Sequence, residues 1–349
     1  MQKDFHYYVV KLLAIKAGIA EEEAQIIAYS SQYVDDAVEH KPIRLSHQLP
    51  AEITDSFTPG FDRYKDDRFD PVCTAHRGTQ HIGEISRNVQ RLIYMPFHFL
   101  PPGPVCKQKR SASYITRAGS PFALELVEAA LETLEQNSGS GRVHSLIKLG
   151  IALHTYSDTW SHNGFSGRHS PAENDISELS VFENGRWKML PAAKRALLNF
   201  SPDIGHAEAG ILPDMSHVII RYRHCRSGNE TVCNNPEIFM AAAKAVYAVL
   251  CKIERNYESW KSFEGDLRYC IAASVEDNEE KARLYEKTFP QISFYYDEEE
   301  WRKEALSGSS YDREKFRSND FRSEAYSVRG DMKWFWFHVG AWEQRQHLP

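Results

Sequence analysis

The sequence has no long apolar run: nothing in it approaches the roughly 18 residues that a membrane-spanning helix needs. It has little cysteine. The six, Cys73, Cys106, Cys225, Cys233, Cys251 and Cys270, form no CxxC pair, which disfavours a cysteine zinc site, a thioredoxin motif and a disulfide scaffold. It lacks an excess of positive charge, since 42 Lys and Arg face 48 Asp and Glu for a formal charge of -6, so nothing in the overall balance points to nucleic acid. The modest 19 glycines and 16 prolines exclude collagen-like and low-complexity chains. Several catalytic signatures are also missing: HExxH, a GxSxG elbow, a GxGxxG fingerprint and a His-Asp dipeptide. Asn137-Ser138-Gly139-Ser140-Gly141 lacks the Lys-Ser/Thr of a phosphate loop.

What remains is an ordinary globular composition, 42% hydrophobic and 26% charged over 349 residues, enough for a sizeable core. The first residues carry an acid and a histidine, and Lys11 and Lys16 interrupt Val9–Ala20, so this stretch reads as an amphipathic helix rather than a signal peptide. A cytoplasmic protein with reduced thiols is the expectation. Helical spacing starts near Asp4, read as an N-cap, and a second helix follows from Glu21 to Val38. Further helices are expected over about 79–92, 121–136, 143–162, 236–260, 264–273, 276–289, 297–306 and 322–343. Residues 41–75 and 163–190 read as loop-rich insertions, and Asn184-Gly185 within Val181–Leu190 marks a hairpin. The expected class is all-α, a multi-helix bundle in a single mainly helical domain over 1–349, with room for one small β-hairpin insertion.

Histidine is plentiful, at 15, and its placement is informative. His154, Asp158 and His162 stand at i, i+4 and i+8 of the strongest helix signal. Each step of four residues turns about 40° and climbs about 6 Å, so the three share one face within about 80°. Imidazole nitrogen beside carboxylate oxygen suits zinc and related divalent ions, and Asp158 has two oxygens to offer. His6, the pair Asp35 and Asp36, His76 and His81, and His206 with Glu208 or Asp214 are further candidates from distant segments. His98, between Phe97 and Phe99, reads as a packed, hydrogen-bonded histidine.

This order of residues resembles the zinc-dependent phospholipase C and P1 nuclease superfamily. The segments Tyr29–Ala37, Met95–Pro101 and His154–Gly167 are also similar to an uncharacterised bacterial family of about this length. The first resemblance implies an all-α fold with one to three divalent ions, zinc foremost, cleaving phosphodiesters with a metal-activated water. It implies metal ligands at His6, Asp35, His76, His154, Asp158, His162, His206 and Asp214, with Asp35 or Asp36 orienting the nucleophile. The N-terminal Trp of the secreted enzymes has no counterpart here.

The implied substrate is a small-molecule, lipid or nucleotide phosphoester, with nucleic acid entering only as substrate. The basic stretch Lys107, Lys109, Arg110 and Arg117 could attract an anion, and Tyr156, Ser157 and Ser161 could orient ligating histidines. Trp334-Phe335-Trp336-Phe337 is a candidate lipid-facing rim, and Tyr7, Tyr8, Tyr33 and Trp160 are candidate base-stacking platforms. The alternative is a non-catalytic structural or sensory helical protein holding a metal through His154, Asp158 and His162.

Overall fold

The computed structural model describes residues 1–39, 42–75, 87–103, 114–190, 204–307 and 325–347. The expectations for His76, His81, Lys107, Lys109 and Arg110 lie outside these residues.

Helix α1 opens as a π-helix over Asp4–Val9 and continues as an α-helix over Val10–Lys16. It is apolar on nearly every side, and Phe5, Tyr7, Val10, Leu12 and Leu13 are fully buried. A helix of that kind belongs inside a larger core. Asp4 is not its N-cap, a position held by Lys3; Asp4 is buried within the first turn. Helix α2 (Glu21–Asp36) follows, with three glutamates in its first turn to complement the helix dipole.

After the short α3 (Ala51–Thr54) comes α4, which runs from Arg87–Val89 into a second π-helix over Gln90–His98. Helix α5 (Pro121–Gln136) starts with proline at its first position and a Ser120 cap. Helix α6 (Gly139–Ser161) is the axis of the molecule and packs against α1's partner α2, α5, α4 and two later helices, over Asn235–Leu250 and Lys333–Gln346. Its contact with α2 is close because residue 150 is glycine. A Cβ there would meet Ser30 Oγ at 1.9 Å and the Ile27 carbonyl oxygen at 2.4 Å. That proximity brings the end of α2 beside the C-terminal half of α6.

The expected all-α class is not what forms. Among the described residues the protein is 53% helical and 14% strand, with two multi-stranded sheets. The first has the order β2-β3-β1-β9-β8, from Tyr64–Lys65, Arg68–Phe69, Ile43–Leu45, Ala325–Val328 and Leu306–Ser307. Its central pairing is parallel and joins Arg44 to Ala325 and Leu45 to Tyr326. Such short strands from opposite ends of the chain leave no sequence period to read. The second sheet is antiparallel, in the order β5-β4-β6-β7, from Arg186–Met189, Ile176–Glu183, Ile219–His224 and Glu230–Asn234. The hairpin expected at Asn184-Gly185 is its β4–β5 edge. Strand β6 alternates, with Ile220 and Tyr222 buried and Arg221 and Arg223 facing out, a signal masked by its polar half.

Helices α7 (Pro171–Asn174), α8 (Asn235–Leu250), α9 (Trp260–Ala272), α10 (Asn278–Thr288), α11 (Glu300–Ala305) and α12 (Lys333–Gln346) complete the described chain. Helix α8 is shorter than expected because the chain turns after Leu250, and the Glu258 N–H reaches back to the Lys16 carbonyl at 2.9 Å. Helix α12 starts later than expected because β9 takes Ala325–Val328. The aromatic run on α12 is core: Trp334, Phe335 and Phe337 are fully buried, and Trp336 nearly so. That removes the lipid-facing rim. Tyr7, Tyr8 and Tyr33 are buried too, so they offer no open stacking surface. No helix among the described residues is long and apolar enough to cross a membrane. The apolar side chains form one large helical cluster and a smaller one under the second sheet.

Candidate metal centre

The two π-helices bring a histidine each to the same place as the C-terminal half of α6. His6 lies on the first and His98 ends the second. π-helical turns are rare and recur at functional sites. Three groups of potential ligand atoms converge there: His6, Asp35 and His154; His98, His154 and Asp158; and His162, His206 and Asp214.

The central group is built on α6. His154 Nε2, His98 Nδ1 and Asp158 Oδ2 lie 3.3 Å from one another on all three edges. Asp35 Oδ1, from the end of α2, stands 3.8 Å from both His98 Nδ1 and His154 Nε2. Four donors about 2.0–2.1 Å from one tetrahedral ion are separated by about 3.3 Å. The three 3.3 Å spacings therefore match one face of a coordination tetrahedron, with Asp35 standing further out.

The other oxygen of Asp158 turns to a neighbouring group. Oδ1 lies 3.1 Å from His6 Nε2 and 2.6 Å from the Met1 amine. The His6 ring stacks on His154 with centroids 3.9 Å apart. The outer group closes the far end: His162 Nε2 is 3.1 Å from Asp214 Oδ1, and His206 Nε2 is 3.2 Å from Asp214 Oδ2. The Met1 amine is 2.9 Å from Asp214 Oδ1, between the two groups.

Four of the histidines are oriented from behind by backbone carbonyls. His154 Nδ1 pairs with the Ser31 carbonyl at 2.8 Å, and His98 Nε2 with that of Thr74 at 2.8 Å. His162 Nδ1 pairs with the His98 carbonyl at 2.6 Å, and His206 Nδ1 with that of Gly210 at 2.8 Å. A carbonyl can only accept, so each of these nitrogens carries the proton. In a neutral ring the inward nitrogen is then a bare lone pair. His98, His154 and Asp158 thus point acceptors at one another inside the protein, an arrangement that calls for a cation.

The electrostatics say the same. Burial opposes ionisation of Asp158, but His162, the Met1 amine, His154 and His6 outweigh it and hold its pKa well below the usual carboxylate range. Burial opposes charge on the Met1 amine, and Asp158, Asp214 and Asp35 raise its pKa to about 11. Burial, then the neighbouring His154, pushes His6 well below the ordinary imidazole value. Against burial, the nearby carboxylates raise His98 and His206, Asp158 acting first on His98 and Asp214 on His206.

Of the residues singled out in the sequence, His6, Asp35, His154, Asp158, His162, His206 and Asp214 converge here. His76 lies outside the described residues. Asp36 faces away, its Oδ2 accepting from the Tyr296 hydroxyl at 2.7 Å and the Gln32 amide at 3.1 Å. Glu208 is occupied by the Ile176 N–H at 2.5 Å, which leaves Asp214 as the acid beside His206. His98 is hydrogen-bonded as expected, through Nε2 to the Thr74 carbonyl, and its Nδ1 also belongs to the central group. Its flanking Phe97 and Phe99 hide it in the sequence, where only the reach of a helix ending next to α6 would reveal it. Of the expected orienting side chains, Ser157 Oγ is 3.5 Å from His6 Nδ1 and Ser161 Oγ 3.1 Å from the Met1 amine, while Tyr156 packs edge-on against Trp160.

Fold and site together define a mixed α/β protein with a buried His/Asp centre able to hold metal ions. The chain belongs to a family of unknown function, DUF6765, whose sequence profile matches residues 1–348. No curated protein and no solved structure matches it.

Proposed function

We propose that this chain is a metal-dependent phosphoester hydrolase that uses zinc or a similar divalent ion. The observation that carries the reading is the triangle of inward-facing acceptors on His98, His154 and Asp158, each edge 3.3 Å, with both rings tautomerically set from behind. An all-imidazole and carboxylate donor set favours zinc among the common ions. Ions held there would polarise a phosphoryl oxygen and lower the pKa of a water towards about 7. Asp158 would offer an oxygen to the His98 and His154 side and another to the His6 side, and His162, His206 and Asp214 would hold a further ion. Asp35 would help hold an ion beside His154 and orient the attacking water, since its side chain keeps 28% exposure while His6 and His154 have none. The order of these residues along the chain resembles that of the zinc-dependent phospholipase C and P1 nuclease superfamily, which supports a phosphodiester substrate, lipid or nucleotide.

A non-catalytic metal-binding role has one observation in its favour, the complete burial of His6 and His154. Two measurements separate the readings. Elemental analysis of untagged protein purified without added metal should find two or three equivalents per chain. The loaded protein should then hydrolyse bis(4-nitrophenyl) phosphate or a phospholipid. His98→Ala, His154→Ala and Asp158→Ala should each lose metal and activity together. Full metal content in all three variants would sink the site. Metal without turnover across a phosphodiester and phospholipid screen would leave the structural role.

A further inference from the structure

The outer group is tied to the central one by two consecutive residues. His98 contributes its ring to the central group, and its carbonyl receives the Nδ1–H of His162 at 2.6 Å. The next side chain, Phe99, lies flat on the His162 ring, with centroids 4.2 Å apart and planes 16° from parallel. The same ring touches His206 at 5.7 Å. Phe99 is buried and belongs to the smaller apolar cluster under the second sheet. Room for it is made by Gly205, the residue before His206. Gly205 has φ +58°, and a Cβ there would stand 2.1 Å from Phe99 Cζ. One aromatic ring therefore packs against both outer-group imidazoles, whose Nδ1–H groups are held by carbonyls, and the main chain beside it carries the central-group ligand.

We propose that Phe99 is the positioning residue of the outer metal site and that it couples this site to the central one through the His98 carbonyl. The proposal rests on the metal-dependent reading above. An ion in the central group fixes the His98 ring, hence its carbonyl and the ring of His162; filling the outer group acts back through the same atoms. Binding linkage makes this effect equal in the two directions. Loss of an orienting partner typically weakens metal affinity roughly ten- to hundredfold.

The test is a zinc titration of metal-free protein, wild type against Phe99→Leu and Phe99→Tyr. Equilibrium dialysis counts the ions, and thermal melting of the metal-free forms controls for general damage. Phe99→Leu keeps an apolar side chain but loses the stacking plane. It should weaken one equivalent by roughly ten- to hundredfold and the remaining ions by a smaller factor. Phe99→Tyr, which keeps the ring, should restore wild-type binding. Should Phe99→Leu fail to fold, Gly205→Ala supplies the second variant, since a Cβ 2.1 Å from Phe99 Cζ displaces the ring from its present place, and it should cost the same equivalent. Uniform weakening of every ion, or no weakening in either variant while wild type loads normally, would overturn the coupling. A wild type that takes up no zinc would overturn the metal-dependent reading itself and the coupling with it.

Discussion

Asp35 and Asp36 are neighbours in sequence and face opposite ways: Asp35 Oδ1 stands 3.8 Å from the ring nitrogens of His98 and His154, whereas Asp36 Oδ2 holds the Tyr296 hydroxyl at 2.7 Å. The cause is the end of α2. It stops at Asp36, so the last two side chains leave the helix about 100° apart. One reaches towards α6 and the other packs under Tyr296.

Asparagine at each position should therefore behave differently. Asp35→Asn should release metal from the central group and abolish any turnover. Asp36→Asn should keep full metal content and cost about 1.5–3 kcal/mol of folding stability, the usual worth of hydrogen bonds to a charged group. Elemental analysis beside urea unfolding checks both. Metal loss in Asp36→Asn with none in Asp35→Asn would reverse the assignment.

Away from the centre, acid sensitivity should come in part from His338. Its ring is fully buried on α12, and its Nδ1 accepts the Val72 N–H at 3.1 Å. Burial foremost, then the nearby Arg302 and Arg345, lowers its pKa to about 3, against an ordinary 6.5. Below pH 6.5 the unfolded chain takes up a proton that the folded chain refuses. Its contribution is complete above about pH 6.5 and is lost as pH falls towards 3, at up to about 1.4 kcal/mol per pH unit. His338→Gln keeps an acceptor for Val72 and cannot protonate. Its urea midpoint should fall less steeply than that of wild type between pH 6.5 and 4. Parallel curves would show that His338 is not the group concerned.

The aromatic run on α12 should behave as core. Trp334 is fully buried, and its indole N–H donates to the Tyr33 hydroxyl at 3.0 Å. Trp334→Ala should cost about 3–5 kcal/mol through the cavity it leaves. Vesicle binding, if wild type shows any, should be unchanged in folded variant protein. A small stability cost with lost vesicle binding would return the run to the surface.

The helix carrying His154, Asp158 and His162 was legible because its periodicity is local. So were α2, α5 and the hairpin at Asn184-Gly185, each announced by its own turn or capping residues. The first sheet was not, and the second only at that hairpin. Strand β1 finds β9 about 280 residues away, as Arg44 against Ala325, and strands of two to four residues carry no period of their own. The expectation of an all-α chain failed for that reason. His98 reads in the sequence only as a packed, hydrogen-bonded histidine on similar grounds, because its environment there is two phenylalanines and its environment in space is Asp158 and His154.

The sequence by itself determined which side chains are available for the centre and placed three of them on one face of a helix, since backbone geometry alone dictates that spacing. Only the tertiary structure decided which aspartate of the pair turns inward, that His98 joins His154, and that the carbonyls of Ser31, Thr74, His98 and Gly210 set the rings. Those choices depend on where the ends of α2 and α4 meet α6. That meeting is governed by close packing, such as the approach allowed by Gly150, between segments with no sequence proximity to announce it.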